Sequence, residues 1–380
     1  MATWISMAEA CRLLGVQQQT VYAYASRGKV EAMTDPGDSR KSLYRAEDVQ
    51  QLALRKQAGR KRETLVTQAL SGVEPSIPTA LSTFHRGRLL FRGQDAVALA
   101  RSASLEDLAA LLWATQGPVD FQVPGPPPVE QGRVAAFTLL GGLAATGLAT
   151  SGRTPRVLHE EGQKLVGQLA NALGAQGPRQ ALHLRLAKGW QQGPAAAELL
   201  RAAMVLTVDH ELTSSAFATR IAASTGASLP ASLLAGLCTF SGPRHGDASG
   251  QIRTLLAEVK QCGADQVVER HLLAGIALPG FGHHLYPEGD PRARALLDLW
   301  TPASPTARFI ERGTALTGLA PNIDLAIAAL VEYLDLPMDS GFCLIALSRS
   351  IGLLAHCFEQ LEIRQTFRPR GRYIGSIPRS

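Results

Sequence analysis

Aromatic and charged residues are both scarce in this chain of 380 residues, at 6% and 18% of the sequence. Hydrophobic residues nevertheless make up 46%, so the interior must be built largely from Ala, Leu and Val, which pack helices closely. Strand-like alternation of apolar and polar residues is rare, and helical spacing dominates. The composition argues against a strand-dominated architecture and predicts a soluble, mainly helical protein of two or three domains.

Cysteines at metal-binding spacing are also lacking. The five cysteines form an odd set without Cys-x-x-Cys spacing, which indicates neither a disulfide framework nor a zinc site. The first residues, Met1 to Ser6, lack the charged start and apolar run of a signal peptide. We therefore expect a cytoplasmic protein that holds no metal. The cysteines are Cys11, Cys238, Cys262, Cys343 and Cys357.

One uncharged stretch approaches the length of a membrane span. The stretch from Val134 to Gly152 carries no charge, but it is just short of spanning length and contains several glycines and threonines. We expect a buried or interface helix there, and no membrane as a partner.

Positive charge is concentrated near the N-terminus. The formal net charge is +6, and residues 1–63 contain 11 Lys and Arg against 7 Asp and Glu. Most of the excess charge therefore lies in about one-sixth of the chain, which makes that segment the candidate for an acidic partner such as DNA.

The same N-terminal segment has the start and stop signals of short helices. Ser6 and Glu9 form a capping box before a helix that ends at Gly15. A second helix, from Gln17 to Ser26, precedes Gly28. A turn or wing follows at 34–41, and Tyr44-Arg-Ala-Glu-Asp48 opens a third helix. This order resembles the winged helix-turn-helix of excisionase-like and MerR-type proteins.

The resemblance implies a DNA-binding face. It would place Gln18, Gln19 and Tyr22 in a groove. Basic side chains would lie near phosphates, namely Arg40, Lys41 and Arg45, with a further run at Arg55, Lys56, Arg60, Lys61 and Arg62. Small winged helices also serve as packing or dimerisation modules, and basic runs are often solvated helix ends, so both interpretations stay open.

Proline-containing stretches suggest the domain organisation. The segment from Leu65 to Pro78 is typical of a hinge, and we divide the chain into a module at 1–63, a linker at 64–80 and a large domain at 81–380. The stretch from Pro118 to Pro128 is interpreted as a loop inside the large domain.

One segment of the large domain combines residues suited to catalysis. In Gly280-Phe281-Gly282-His283 two glycines allow the backbone to approach a ligand closely, and an imidazole that can transfer a proton follows them. Arg292 follows nine residues after His283, and its guanidinium can bind a carboxylate at two points. We interpret the segment as catalytic, although Gly-x-Gly alone is a common turn.

Further motifs occur in a fixed order along the large domain. They are Gly87 to Ala96, Asp209-His210-Glu211 continuing to Arg220, Ser241-Gly-Pro-Arg-His245-Gly, the His283 segment, Pro321-Asn-Ile-Asp324, Ser348-Arg349 continuing to Gln360, and Arg368 to Tyr373. Together they resemble the citrate synthase family. The resemblance implies an all-α fold in which a large domain and a small domain, inserted at roughly 215–320, close over the ligands, usually within a homodimer.

The resemblance also assigns catalytic roles. Asp324 would remove a proton from the carbon next to the thioester of an acyl-CoA. His245 would donate to the thioester oxygen, and His283 would donate to the carbonyl of a 2-oxo acid. Because these groups come from separate segments, we expect the domains to close during the reaction.

Binding roles follow from the same resemblance. Arg292, Arg349 and Arg368 would bind the carboxylates of oxaloacetate, with His210 as a hydrogen-bond partner. The arginine that matches Arg368 comes from the partner subunit in the family. The backbone of Gly280, Phe281 and Gly282 and the side chain of Arg244 would contact CoA. The CoA thioester is a substrate, and neither a metal nor another cofactor is implied.

Each assignment has a structural alternative. Asp324 near a helix start could be an ordinary cap, and His245 could be an exposed loop histidine. Arg349 could belong to an interior ion pair, and His210 could be a satisfied core histidine. His284 and His356 are interpreted as structural.

The chain departs from the family pattern near two of these residues. Around His245, the residues Arg244, Asp247 and Ser249 replace Leu, Gly and Asn. Asp247 would bring an anion close to an anionic ligand unless it orients Arg244 or His245. After Asp324 the apolar pair Leu325-Ala326 replaces an aromatic residue and Ser, which would tend to raise the pKa of the Asp324 carboxyl.

The leading hypothesis is condensation of acetyl-CoA with oxaloacetate to give citrate and CoA. Propionyl-CoA, which would give 2-methylcitrate, is an alternative that the sequence does not separate. A second hypothesis is a regulator in which the large domain senses an acyl-CoA or a 2-oxo acid and the winged helix binds DNA. A third is an enzyme whose N-terminal module only packs on the dimer.

Overall fold

The computed structural model describes residues 4–50, 52–53, 77–123, 128–369 and 373–375. The predicted basic run from Arg55 to Arg62, most of the hinge from Leu65, and parts of the proline loop and of the C-terminal motif lie outside the described residues. The chain forms two compact units, Met1–Pro78 with Arg368–Ser380, and Thr79–Phe367. The division lies inside the stretch expected to be a linker, while the exact domain boundaries stay a prediction.

The first unit contains short helices and one small sheet. Its elements are β1 (Trp4–Ser6), α1 (Met7–Leu14), α2 (Gln18–Ser26), β2 (Ala32–Asp35) and β3 (Asp38–Arg45), followed by helical residues at 46–50 and 52–53. The strands are antiparallel in the order β1-β3-β2.

Local signals in the sequence account for the boundaries of α1. Ser6 accepts a hydrogen bond from the Glu9 backbone while the Glu9 carboxylate accepts from Ser6, so the predicted capping box is formed. Gly15 ends the helix with φ of 59°, a left-handed conformation that glycine adopts without steric cost. The small core of this unit consists of Ala10, Leu14, Val21, Val30, Tyr44 and Val49.

The second unit begins with a three-stranded antiparallel meander and continues as helices. The strands are β4 (Ser82–His85), β5 (Arg88–Phe91) and β6 (Gln94–Asp95). The helices are α3 (Ala96–Leu99), α4 (Leu105–Trp113), α5 (Arg133–Thr146), α6 (Pro155–Ala172), α7 (Leu182–Gly189), α8 (Pro194–Thr207), α9 (Ser214–Ser224), α10 (Leu229–Phe240), α11 (Ala248–Cys262), α12 (Ala264–Leu273), α13 (Pro291–Leu297), α14 (Ser304–Thr317), α15 (Ile323–Tyr333) and α16 (Ser340–Ile363).

Two hydrophobic clusters organise the second unit. The larger contains residues of α4 to α10 and of α13, α15 and α16, and the smaller lies among α11, α12, α14 and the other face of α15. Helix α15 therefore contributes to both clusters. This arrangement places the start of α15, where Asp324 lies, at the junction of the two clusters.

Helix α16 is the central helix of the larger cluster. By length and composition it could cross a membrane, but its apolar window is completely buried within the unit. It is the one such helix among the described residues. The sequence had drawn attention to 134–152 instead. That run forms the shorter helix α5, which ends before Gly147 and leaves Val134 73% exposed.

The mainly helical architecture agrees with the prediction, but the all-α description needs two small sheets added. The strands are only two to eight residues long, too short for a reliable alternation pattern. The meander matters for the site because Ser82, on β4, hydrogen-bonds to Asp209.

Candidate active site

A short backbone pairing brings two predicted catalytic segments together. The Asn322 backbone N–H donates to the Gly280 carbonyl at 2.8 Å, and the Asn322 side chain donates to the Gly282 carbonyl at 3.2 Å. His283 and Asp324 each follow directly after this paired region. The pairing therefore places the candidate acid and the candidate base on adjacent strands of backbone.

The glycines of this segment are required by its geometry. Gly280 and Gly282 have φ of 87° and 72°, and a Cβ added at Gly280 would lie 2.8 Å from Leu325 Cβ. Phe281 packs against Phe309, with ring centroids 5.5 Å apart. Much of the hydrogen-bonding capacity of this backbone is used within the protein, so its predicted contact with CoA stays a prediction.

Asp324 is not the cap of its helix. Asn322 performs that role, because its side chain accepts hydrogen bonds from the backbones of Asp324 and Leu325 at 3.1 and 3.2 Å. The Asp324 carboxylate accepts no hydrogen bond from a described residue. Burial raises its pKa from 3.8 to about 6, although the nearby cation of Arg292 opposes the shift. A carboxylate with this pKa is suited to act as a general base near neutral pH.

The aromatic residue Tyr286 joins two of the candidate histidines. His210 Nε2 lies 3.1 Å from the Tyr286 hydroxyl, and the rings of His210 and His283 are 5.3 Å apart. His284 stacks on His283 at 4.8 Å. Burial lowers the pKa of His283 to about 4, and the charge of Arg292 adds to this effect. Burial also holds the pKa of His210 well below its ordinary value. Both rings are therefore neutral at pH 7 and act as hydrogen-bond partners.

His245 is a partly buried residue with a defined partner. Its Nε2 lies 2.8 Å from the Ser215 hydroxyl, at the start of α9. Gly246 lies against the ring of Phe240, where an added Cβ would approach within 2.2 Å. Burial, followed by the charge of Arg349, lowers the pKa of His245 to about 4. The alternative of an exposed loop histidine is therefore wrong.

Arg292 is a buried cation that is paired inside the protein. Its Nε and one terminal nitrogen donate to Asp290 at 3.0 and 2.8 Å. Asp290 also accepts from the Ile323 backbone at 3.0 Å, which ties Arg292 to the start of α15. The predicted role as a carboxylate clamp is thus left to the remaining terminal nitrogen.

Arg349 differs because it forms no ion pair or hydrogen bond with any described residue. The side chain is only 7% exposed, and its Nε has no partner. Burial lowers its pKa to about 10, so the guanidinium remains charged at pH 7. The alternative of an interior ion pair is therefore wrong. A buried cation with free donors is suited to bind an anion, and the predicted role of Arg349 stays a prediction.

The charges of Arg292 and Arg349 affect the pKa values of the candidate catalytic and binding residues. Arg349 contributes to the pKa shifts of His210, His245 and Asp324. Arg292 contributes to those of His210, His283 and Asp324. Asp324 thus lies within the electrostatic range of both cations, His245 within that of Arg349 and His283 within that of Arg292.

Two further predicted binding residues are exposed. Arg244 lies on the surface of the loop before His245. Arg368 is exposed too and belongs to the first unit, so its predicted position beside the substrate stays a prediction.

Asp247 does not orient Arg244 or His245. Its carboxylate lies 3.2 Å from Arg133 at the start of α5. Arg133 in turn lies over the ring of Phe342, 4.2 Å from its centroid. The negative charge that replaces the family's glycine is therefore balanced by Arg133, a partner distant in sequence that composition alone did not indicate.

The candidate DNA-binding residues have mixed environments. Gln18, Gln19 and Tyr22 are exposed on α2, and Tyr22 is 56% exposed. The basic residues pair with nearby acids: Arg40 and Lys41 with Asp38, and Arg45 with Glu31 and Glu47.

Sequence reasoning missed several residues that organise the site. Tyr286 was overlooked although it lies three residues after His283. Ser215 was overlooked although it lies five residues after His210. His356, interpreted as structural, lies 3.3 Å from Asp209.

No group of three or more potential metal ligands occurs among the described residues. The cavity of about 910 Å³ near Thr150 and Arg364 is lined by none of the candidate catalytic residues.

Known proteins resemble this chain along most of its length. The family model "Citrate synthase, C-terminal domain" matches residues 165–370. Citrate synthase of Haloferax volcanii is 27% identical over 341 residues, which cover 76% of this chain and 90% of that protein. Citrate/2-methylcitrate synthase of Bacillus subtilis is 33% identical over 184 residues, 45% of this chain and 50% of that protein.

A solved structure shows the same fold. It is the ternary complex of carboxymethyl coenzyme A and oxaloacetate with citrate synthase from Thermoplasma acidophilum, with a TM-score of 0.67. The match covers 83% of this chain and 97% of that one at 20% identity, a level that supports the fold alone.

The pKa of Asp324 predicts an unusual dependence of stability on pH. An acid whose pKa is higher in the folded than in the unfolded state loses stability as pH rises through that interval, here from 3.8 to about 6. We expect Asp324→Asn to be more stable than the natural protein at pH 8, by on the order of 2 kcal/mol. This advantage should shrink as the pH falls toward 5. Urea denaturation at both pH values measures the difference.

The exposed Asp298 provides a matched control. Asp298→Asn should change the free energy of unfolding little at either pH. An Asp324→Asn variant whose stability difference is the same at pH 5 and pH 8 would show that the Asp324 carboxyl is not perturbed by burial.

Proposed function

The chain belongs to the citrate synthase family, and from that premise we propose that it condenses acetyl-CoA with oxaloacetate and water to give citrate and CoA. The observation that carries the proposal is the backbone pairing that brings His283 and Asp324 onto neighbouring segments, where the charges of Arg292 and Arg349 act on Asp324. We propose a cytoplasmic enzyme that requires no metal or further cofactor.

Asp324 would act first, as the base. It takes a proton from the methyl carbon of the acetyl thioester, and the electron pair of that C–H bond forms the enol carbon–carbon double bond. His245 donates a hydrogen bond to the thioester oxygen as negative charge develops there. If the Ser215 hydroxyl donates to His245 Nε2, the ring proton resides on Nδ1, which no described residue contacts. The neutral imidazole then stabilises the enol.

His283 would act in the second step. The enol carbon forms a bond with the keto carbon of oxaloacetate, and the keto oxygen takes a proton from His283. The product is citryl-CoA, whose thioester is cleaved by water to citrate and CoA. The neutral imidazole is itself a very weak acid, so its ring proton moves only as the strongly basic alkoxide forms, which leaves His283 briefly as imidazolate. The proton that Asp324 took from the methyl carbon and those released by the hydrolytic water then restore the neutral His283, the Asp324 carboxylate and the CoA thiol.

Oxaloacetate brings two carboxylates to the site. Arg349 supplies free buried donors for one of them. The remaining terminal nitrogen of Arg292, together with His210 and Arg368, would bind the rest of the molecule. The exposed Arg244 and the backbone of 280–282 are proposed to contact CoA.

The proposal includes a homodimer. Helix α5 supports it, because Val134, Thr138 and Gly142 lie exposed along one uncharged face at successive helical turns. In this arrangement Arg368 of one subunit would complete the site of the other.

The acyl group is proposed to be acetyl, with propionyl as the alternative. The likeness to a Bacillus citrate/2-methylcitrate synthase supports keeping both. One methylene changes binding by only about 1–3 kcal/mol, so pocket shape decides the preference.

A regulator is the second candidate function. The exposed Gln18, Gln19 and Tyr22 on α2 favour it, because they form a polar face with one aromatic side chain. Against it, the neighbouring basic residues are paired with carboxylates. In this alternative the winged helix binds DNA and the second unit senses an acyl-CoA or 2-oxo acid.

Thiol release from acetyl-CoA tests the proposed reaction. We expect release that depends on oxaloacetate, with propionyl-CoA assayed alongside to compare kcat/KM. Asp324→Ala and His283→Ala should each lower kcat at least about a hundredfold, because a general base or acid contributes roughly that much. Asp298→Ala is the matched surface control and should retain activity.

Two other outcomes are informative. No turnover with either acyl-CoA, together with salt-sensitive binding of the full chain to DNA, would contradict the enzyme and support the regulator. Full activity after removal of residues 1–63 would instead favour a module that only packs on the dimer.

Subunit mixing tests the proposed dimer and the role of Arg368. Asp324→Ala and Arg368→Ala chains should each be inactive alone. When the two are co-expressed, a mixed dimer contains one complete site if Arg368 acts across the interface, so about a quarter of the activity should return. Co-expression of Asp324→Ala with His283→Ala should restore nothing. If the Arg368 mixture also stays inactive, the site is not shared between subunits.

A further inference from the structure

Two buried, oppositely charged side chains lie near each other in the second unit without pairing. Asp209 precedes His210 and is 1% exposed, and Arg349 on α16 is 7% exposed. The field of each acts on the other. No ion pair joins them among the described contacts, although such a pair would normally form in a region of low dielectric.

The position of Asp209 against α16 is fixed by a glycine. A Cβ added at Gly352 would lie 2.8 Å from Asp209 Oδ1 and 2.4 Å from the Val208 carbonyl. Gly352 lies one helical turn beyond Arg349, and His356 lies one turn beyond Gly352, so the three share a face of α16. The carboxylate therefore approaches the helix between the guanidinium and the imidazole.

Both oxygens of Asp209 have partners other than Arg349. The Ser82 hydroxyl donates to Oδ2 and itself accepts from the Glu211 backbone at 2.9 Å. His356 Nε2 lies 3.3 Å from Oδ1. At this separation the contact is longer than an ordinary hydrogen bond, and His356 acts on Asp209 through its charge and through this contact.

The proton of His356 faces Asp209 for a structural reason. Arg220 Nε donates to His356 Nδ1 at 3.1 Å, so Nδ1 must accept and the ring proton of the neutral form is on Nε2. Arg220 is completely buried and pairs with Glu359. A fixed chain of contacts thus runs from Glu359 through Arg220 and His356 to Asp209.

We propose that Ser82 and His356 are positioning residues that hold the Asp209 carboxylate away from Arg349, and so keep this guanidinium free for a carboxylate of the substrate. The inference rests on the proposed function, since it concerns how the protein keeps Arg349 available to bind oxaloacetate. A released Asp209 would turn toward Arg349 and form an internal ion pair. Oxaloacetate would then have to displace that pair, which weakens its binding without altering the reacting groups.

The test uses full-length variants and steady-state kinetics. His356→Leu removes the contact to Oδ1, and Ser82→Ala removes the one to Oδ2 with little change in volume. Each should raise KM for oxaloacetate on the order of tenfold, while kcat and KM for acetyl-CoA stay within about twofold. His356→Gln, which keeps a donor, should show a smaller effect.

A second-site change separates this role from general damage to the fold. In His356→Leu/Asp209→Asn and Ser82→Ala/Asp209→Asn the amide carries no charge and cannot pair with Arg349. KM for oxaloacetate should therefore return to within about twofold of the natural value. Ser82→Ala and its double variant provide the same test where the larger change at His356 prevents folding.

The outcomes distinguish the inference from the function on which it rests. Calorimetry with oxaloacetate on the natural protein comes first, and a protein that neither binds nor turns over oxaloacetate removes both proposals together. If the natural protein is active but both single variants keep KM for oxaloacetate within twofold, the inference is wrong. It is also wrong if KM rises but Asp209→Asn fails to restore it, since the cause would then be disruption other than ion pairing.

Discussion

A buried guanidinium without an internal partner is the constraint on which the site depends. Isolated burial of a charge is costly, and proteins normally avoid it by pairing. Arg292 follows that rule through Asp290, whereas Arg349 does not. The opposite charges of Asp209 and Asp324 act on Arg349 and offset part of the cost of its burial. The unpaired guanidinium therefore has donors available for an anionic substrate.

The same burial sets the protonation states of the reacting groups. Desolvation lowers the pKa of His245 and His283 to about 4 and raises that of Asp324 to about 6. At neutral pH the site thus presents two neutral imidazoles and one carboxylate of increased basicity. One physical cause, exclusion of water, produces both the donors and the base, while the two cations add to the shifts of the histidines and oppose that of Asp324.

Much of the site could be predicted from the sequence, because His245, His283 and Asp324 lie in short motifs with local geometry. The cap at Asn322 and the turns at Gly280 and Gly282 are likewise local. Partners across the chain could not be predicted in this way. The sequence does not reveal the ion pair between Asp247 and Arg133, because the packing of α5 brings these distant residues together. The short meander at 82–95 was missed for the same reason. Its strands are defined by hydrogen bonds to neighbouring strands, and they are too short to show a clear alternation of apolar and polar residues.

The most direct measurement is the thermal unfolding of Arg349→Met with and without oxaloacetate. Methionine fills similar space without charge, so the account predicts that the variant without ligand unfolds at or above the temperature of the natural protein. Oxaloacetate at a hundred times its Kd should stabilise the natural protein by about 2.7 kcal/mol and leave the variant unchanged. A variant that is clearly less stable without ligand, yet is still stabilised by oxaloacetate, would contradict the account.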